Sequence, residues 1–326
     1  MAKECVLITG ANGQLGTVLT SVLVNLYGEN QVISTDLKRP EAEISRFELL
    51  DILNQSALNE IISKNKVTQV YNLAALLSAT GEKKPLLSWD INVKGYLNVL
   101  EACRINDVSK IFFPSSIAVF GSDAPKQNCP QNTLLNPETV YGIGKCAGEQ
   151  WSQYYFRKHG LDIRSIRYPG VIGYESLPGG GTTDYAVEIF HEALEKNAYT
   201  CFLKKDAYLP MIYMSDVING TLKLMDTPKV DIKTRTSYNL SGMSFSPEEI
   251  AAEIKNHLPD FTINYEPDFR QKIADSWVYS IDDKEAKAEW NWQPKYNLKE
   301  MVEDMLKNLS EINLSNVKKN EILNKI

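Results

Sequence analysis

The feature that most restricts the fold is the run Gly10-Ala11-Asn12-Gly13-Gln14-Leu15-Gly16, because of what stands on either side of it. Before it, residues 5–10 (CVLITG) form a short apolar, β-branched run that reads as a strand. After it, Leu15, Val18, Leu19, Val22, Leu23 and Leu26 recur at helical spacing, and Gly28 is placed to end that helix. A GxxGxxG between strand and helix is a turn through which backbone can approach a pyrophosphate lying against the helix N-terminus. Residues 31–36 (QVISTD) are the next strand, and Asp36 ends it where a ribose ligand belongs. A carboxylate there accepts from both ribose hydroxyls of NAD and repels the 2′-phosphate of NADP, a repulsion that Lys38 and Arg39 soften. NAD is therefore the expected cofactor, held by Gly10, Asn12, Gly13, Gln14, Leu15, Gly16, Asp36, Leu37 and Lys38. A tight turn with an N-capping aspartate is the alternative. Asp51-Ile52, after the apolar residues 47–50, has two readings: a flank for adenine, or a helix N-cap.

The alternation continues. Residues 67–75 (VTQVYNLAA), 110–116 (KIFFPSS) and 162–168 (DIRSIRY) read as strands, separated by helical stretches near 55–65, 86–106 and 140–159. Strands and helices in this order give an α/β fold, a Rossmann-type doubly wound parallel sheet covered on both faces. Beyond Pro169 the pattern changes to a Gly-rich loop at 178–181, a helix starting near Asp184, and short strands at 200–203, 208–213 and 237–240. Ser246-Pro247-Glu248-Glu249 has the form of a capped helix start. The last helix is expected at 298–309, with a polar Asn- and Lys-rich tail that frays. We therefore expect a cofactor domain over 1–170 and a smaller α/β substrate lobe over 171–326, their boundary blurred by chain crossings.

Tyr141-Gly142-Ile143-Gly144-Lys145 places a phenol and an ammonium four residues apart, on one face of a helix. Free tyrosine, with a pKa near ~10, is a poor base at neutral pH, and a neighbouring lysine and a positive nicotinamide both favour the phenolate. One crossover earlier, Ser115-Ser116-Ile117-Ala118-Val119-Phe120-Gly121 follows a strand, and a hydroxyl at that strand end can orient a reacting oxygen.

With Asn72-Leu73-Ala74-Ala75 and Arg167-Tyr168-Pro169-Gly170, these runs resemble the extended short-chain dehydrogenase/reductase family. The resemblance implies Tyr141 as general base, Lys145 as its activator and ribose ligand, and Ser116 as the orienting hydroxyl. It adds Leu73, Ala74, Ala75, Tyr168 and Val171 to the cofactor contacts, and Asn92 as a residue supporting the site through a helix or water contact. Residues 178–187 (PGGGTTDYAV), 208–213 (YLPMIY) and 270–283 (RQKIADSWVYSIDD) resemble, within that family, the short-chain-type L-threonine 3-dehydrogenases, and the likeness runs to about residue 309. A departure is Ser116, where members of that group carry threonine; either hydroxyl donates and accepts. The Gly-rich turn, followed by a threonine-capped helix, suits a carboxylate. Gly180, Thr182, Ser78, Ser115, Ser116 and Tyr141 are the expected substrate contacts, with Trp277 closing over a methyl group. A flexible lid and an ordinary core tryptophan are the alternatives for the loop and for Trp277.

The implied reaction is NAD-dependent oxidation of L-threonine to 2-amino-3-oxobutanoate. Its rivals are a nucleotide-sugar epimerase or dehydratase of the same fold and a non-catalytic NAD-binding sensor. A net charge of −6 argues against nucleic acid or an anionic membrane as partner. Five scattered cysteines without a CxxC, and three isolated histidines, give no metal site. The family resemblance implies a homodimer through helices 86–106 and 140–159, and nothing resembling a targeting segment leaves cytoplasm or mitochondrial matrix as the expected compartment.

Overall fold

In a computed structural model that describes residues 4–323, the first half forms β1 (Val6–Thr9), β2 (Val32–Asp36), β3 (Arg46–Leu49), β4 (Gln69–Asn72), β5 (Lys110–Ser116) and β6 (Ile163–Tyr168). They alternate with α1 (Gln14–Tyr27), α2 (Gln55–Asn65), α3 (Ser78–Lys83), α4 (Pro85–Trp89), α5 (Gly95–Ile105) and α6 (Val140–His159). The second half adds β7 (Gly170–Ile172), α7 (Tyr185–Lys196), β8 (Ala198–Cys201), β9 (Leu209–Tyr213), α8 (Met214–Asp226), β10 (Tyr238–Asn239) and β11 (Met243–Phe245). It closes with α9 (Pro247–His257), β12 (Thr262–Tyr265), α10 (Phe269–Ser276), α11 (Lys284–Trp290) and α12 (Leu298–Leu323).

Seven parallel strands form the main sheet in the order β10-β6-β5-β4-β1-β2-β3. From β1 the chain runs outward to β3, then returns to β4 on β1's other side, and this reversal opens a crevice at the carboxyl ends of β1 and β4. The fold is the Rossmann type. Both sheet faces are buried: Leu19 and Leu23 of α1 with Val217 and Leu224 of α8 cover one, and Leu58, Ile62, Val99 and Leu100 of α2 and α5 cover the other. A third core, around Phe120, Tyr185, Phe190, Met211, Ile250 and Met305, fills the second half beside sheet β11-β9-β7. The second half crosses back to this sheet: β10 pairs with β6 through Tyr238↔Ile166 and Asn239↔Arg167, and Ala286 and Trp290 of α11 join the core on that face.

Several elements differ from expectation. Arg46–Leu49 is an edge strand, which its alternation of polar and apolar side chains allows. Only Gln69–Asn72 of residues 67–75 pairs as strand, and the strand expected at 200–203 lies at Ala198–Cys201. The helix expected at 86–106 starts at Pro85 and passes through a π turn, Asp90–Lys94. Instead of fraying after Ser310, α12 continues to Leu323. The capping box at α9 forms as read: Ser246 Oγ accepts from Glu249 N–H (3.3 Å), and the Glu249 carboxylate accepts from Ser246 N–H (2.9 Å).

Candidate active site

The crevice holds two adjoining cavities. The smaller, of about 200 Å³, is walled by Gly10, Gly13, Asp36, Leu37, Asp51, Ile52, Leu73, Ala74 and Ala75. Gly10 takes φ 69°, and a Cβ on it would stand 2.6 Å from Ala74 N; one on Gly16 would stand 2.3 Å from Gly10 O. The turn is thus shaped by close backbone approach, and no side chain caps the N-terminus of α1 behind it. Asp36 accepts from Asn12 N–H (3.0 Å) and from Leu37 N–H (2.7 Å), so its carboxylate is fixed at the rim. Asn12 donates to the Lys38 carbonyl (2.6 Å), and the Lys38 side chain is exposed rather than part of the wall. Asn54 caps α2, leaving Asp51 to the cavity wall. Asn92 touches neither cavity. It takes the Leu76 N–H (2.8 Å), donates to the Leu76 carbonyl (3.0 Å), and so fixes the strand-end segment that borders the crevice. Its side chain is engaged in holding that segment. These features fit a dinucleotide: a Cβ-free cradle, an uncapped helix end and a rim carboxylate.

The larger cavity, of about 300 Å³, is bounded by Gln14, Leu15, Gly16, Ser78, Ser116, Tyr141, Lys145, Tyr168, Val171, Thr182 and Trp277. Three successive turns of α6 grip three successive residues of β5. Ser116 Oγ hydrogen-bonds the Tyr141 phenol. Lys145 Nζ donates to the Pro114 carbonyl (2.7 Å), 5.4 Å from the Tyr141 ring centre. Ser115 Oγ donates to Glu149 (2.6 Å). Thr139 seats the helix by accepting from Gly142 N–H (3.0 Å), and a Cβ on Gly142 would stand 2.1 Å from Ala118 O, so α6 packs directly on the segment after Ser116.

Burial pushes the Tyr141 phenol up to about 12, with the bond to Ser116 pulling the other way, and brings Lys145 down to about 8. Among the protein groups, burial is the larger cause acting on the phenol, and the Lys145 ammonium is turned to a carbonyl.

Ser115 also lines the larger cavity, but its hydroxyl is engaged elsewhere. Side chains alternate along a strand, so its hydroxyl points away from that of Ser116 and into a buried network. There Glu149 (0% exposed) takes two bonds from Arg167 (2.9 and 2.8 Å), and Arg167 reaches Asn239 (3.1 Å) on β10. The Gly-rich loop is a correction. Gly180 N–H (2.8 Å) and Gly181 N–H (2.7 Å) both donate to the Asp184 carboxylate, so the expected carboxylate cradle is filled by the protein. Asp184, not threonine, stands at the N-cap of α7, and Gly180 lies outside the cavity wall. Thr182 remains in place: its side chain is 1% exposed, it lines the cavity, and its hydroxyl has no protein partner. Tyr168 is anchored by its hydroxyl to Thr221. Sequence reasoning missed Asp184 and Glu149; the latter's position, eight residues after Tyr141 on one helical stripe, was the available signal.

Residues 6–241 match the model of the NAD dependent epimerase/dehydratase family. The chain belongs to that family. An uncharacterised epimerase/dehydratase of Staphylococcus haemolyticus is 48% identical over 94% of this chain and 98% of its own length. A GalE-like L-threonine dehydrogenase from Cupriavidus necator, in its holo form, is 49% identical with TM-score 0.92, over 94% of this chain and 99% of that one. A monomeric L-threonine 3-dehydrogenase from a metagenome is 48% identical with the same TM-score and coverage. Membership of this epimerase/dehydratase family and the holo-form neighbour support use of NAD(H).

Proposed function

We propose that this chain oxidises L-threonine at its hydroxyl-bearing carbon, giving 2-amino-3-oxobutanoate, NADH and a proton. The observation that carries this reading is the buried hydroxyl of Thr182, without a hydrogen-bond partner among the described residues, in the wall of a small cavity that also holds Ser116, Tyr141 and Lys145. An orphaned buried hydroxyl costs stability unless something polar meets it, and a small polar substrate would. Similarity to the L-threonine dehydrogenases supports the same choice.

Residues of both cavity walls would hold the dinucleotide, with Asp36 at the adenosine ribose and Lys145 at the other ribose. A bound NAD⁺ would supply the hydride acceptor for the substrate carbon, and its positive ring would add charge that favours the phenolate. Tyr141 takes the hydroxyl proton, Lys145 holds the charge on the phenolate, and Ser116 fixes the substrate oxygen. Ser78 and Thr182 offer hydroxyls to the substrate carboxylate, and the Asp184 carboxylate on the same wall suits its ammonium. Trp277, 5% exposed, roofs the methyl end.

The test is NADH formation with L-threonine, L-serine, L-allo-threonine and UDP-glucose. Activity confined to L-threonine is expected; turnover of the nucleotide sugar instead would sink the reading, and cofactor binding without turnover would favour a sensor.

Exposed Leu86, Leu87 and Trp89 of α4 and Ile143, Trp151 and Tyr154 of α6 form an apolar surface, and we infer a homodimer through it. The metagenome relative is described as monomeric, so light scattering decides: a monomer would refute the inference. We infer a cytoplasmic protein; the staphylococcal relative lends the mitochondrial expectation no support.

A further inference from the structure

Trp277 lines the larger cavity and packs into the core of the second half. It follows the eight-residue helix α10, and its N–H closes the helix end on Ala274 (3.1 Å). A helix C-terminus leaves carbonyls without partners, and a cation near them also meets the negative end of the helix dipole. Here that cation comes from far along the chain. Lys126 Nζ donates to the carbonyls of Asp275 (2.8 Å) and Trp277 (2.9 Å).

The same lysine holds the segment after Trp277 through its backbone. Its carbonyl accepts from the N–H groups of Tyr279 (2.6 Å) and Ser280 (3.2 Å). Asn128 N–H then donates to Ser280 Oγ (2.8 Å), and Cys129 continues the pairing with Ser280 and Asp282 (2.9 Å each). Lys126 lies in the loop that leaves the Ser116 strand end, so one side chain ties the roof of the cavity to the segment that carries the reacting groups. It is half-buried and touches neither cavity.

We propose that Lys126 is a specificity-determining positioning residue, whose ammonium fixes the depth at which the Trp277 indole closes over the substrate side chain. This rests on the threonine reading only for the identity of the substrate.

The test uses Lys126→Met, which keeps the apolar stem and removes the ammonium, and Lys126→Arg, which restores donors. Acrylamide quenching of tryptophan fluorescence should increase in Lys126→Met, and the increase should vanish when Trp277→Phe is added. KM for L-threonine should rise about tenfold, and preference for L-threonine over L-serine should fall by about fivefold, within what one methyl in an apolar pocket contributes. KM for NAD should stay within about twofold, and Lys126→Arg should recover most of the loss, because a merely structural role would move both KM values together. Unchanged quenching, or an unchanged threonine-to-serine preference, overturns the proposal. If wild-type protein turns over no threonine, the functional reading fails, while the quenching result still decides the role of Lys126.

Discussion

The two glycine-rich turns that bound the cleft use the same residue to opposite ends. At Gly10–Gly16 the glycines let backbone segments close on one another, and the helix that follows has no acidic residue in its first turn and no side-chain cap. At residues 178–181 the glycines are followed by Asp184, which folds back and takes two of the loop's N–H groups. The first turn stays open to an anion; the second carries its own. Glycine spacing therefore does not decide what a turn binds, and the first acidic residue downstream does.

The sharpest break of this comparison starts from the chemistry that lies between the two turns. Tyr141→Phe should lower kcat by about 10³-fold or more while leaving NAD affinity within about twofold, by stopped-flow and titration. Near-normal turnover would remove Tyr141 as base.

Next come the glycines themselves. Gly16→Ala drives a methyl to 2.3 Å from Gly10 O and should weaken NAD binding by about 10²-fold, as misplacement near reacting groups does. Gly180→Ala meets open space and carries only the strain of its φ of 87°, about 1–2 kcal/mol of stability, with NAD affinity unchanged. Equal effects on NAD would erase the distinction.

The pH profile probes the base. Below pH about 8 both Lys145 and Tyr141 hold their protons and no base is present. Loss of one proton from the Tyr141–Lys145 pair supplies the base, so kcat/KM should climb with pH by about tenfold per unit and then level off. The bend should fall at or below about 8, and Lys145→Met should move it upward. A profile that falls with rising pH through this range would contradict the pairing.

The smallest effect tests the self-filled loop. Asp184→Ala releases the N–H groups of Gly180 and Gly181, and inorganic sulfate should become a roughly fivefold better inhibitor against substrate. No change would show that the loop holds its shape without the carboxylate.

How much of this was legible follows from sequence distance. The βα turn, the helix faces of α1 and α6 and the Tyr141–Lys145 pair depend on spacings of a few residues, which one sequence carries in full. The turn of the Ser115 hydroxyl away from that of Ser116 follows from strand alternation and was legible in the sequence. The fold-back of Asp184 is harder to see, because an aspartate before a helix can cap the helix or the loop ahead of it. β3 was overlooked because four residues at a sheet edge give little pattern, and the extent of α12 because an Asn- and Lys-rich stretch has weak helical signal. Lys126 and Trp277 meet only through a long excursion of chain, and no local rule brings them together.

The grip of α6 on β5 has a consequence for how such a protein can change over generations. Every partner in it, from Pro114 to Glu149, lies within one strand–helix unit, while the facing cavity walls at residues 181–184 and 277 come from later in the chain. The engine and the filter are encoded in separate stretches of chain, riveted where Arg167 meets Asn239. Mutation can therefore redraw the filter by small steps without retuning the engine, and relatives with new substrates should differ first in those later stretches.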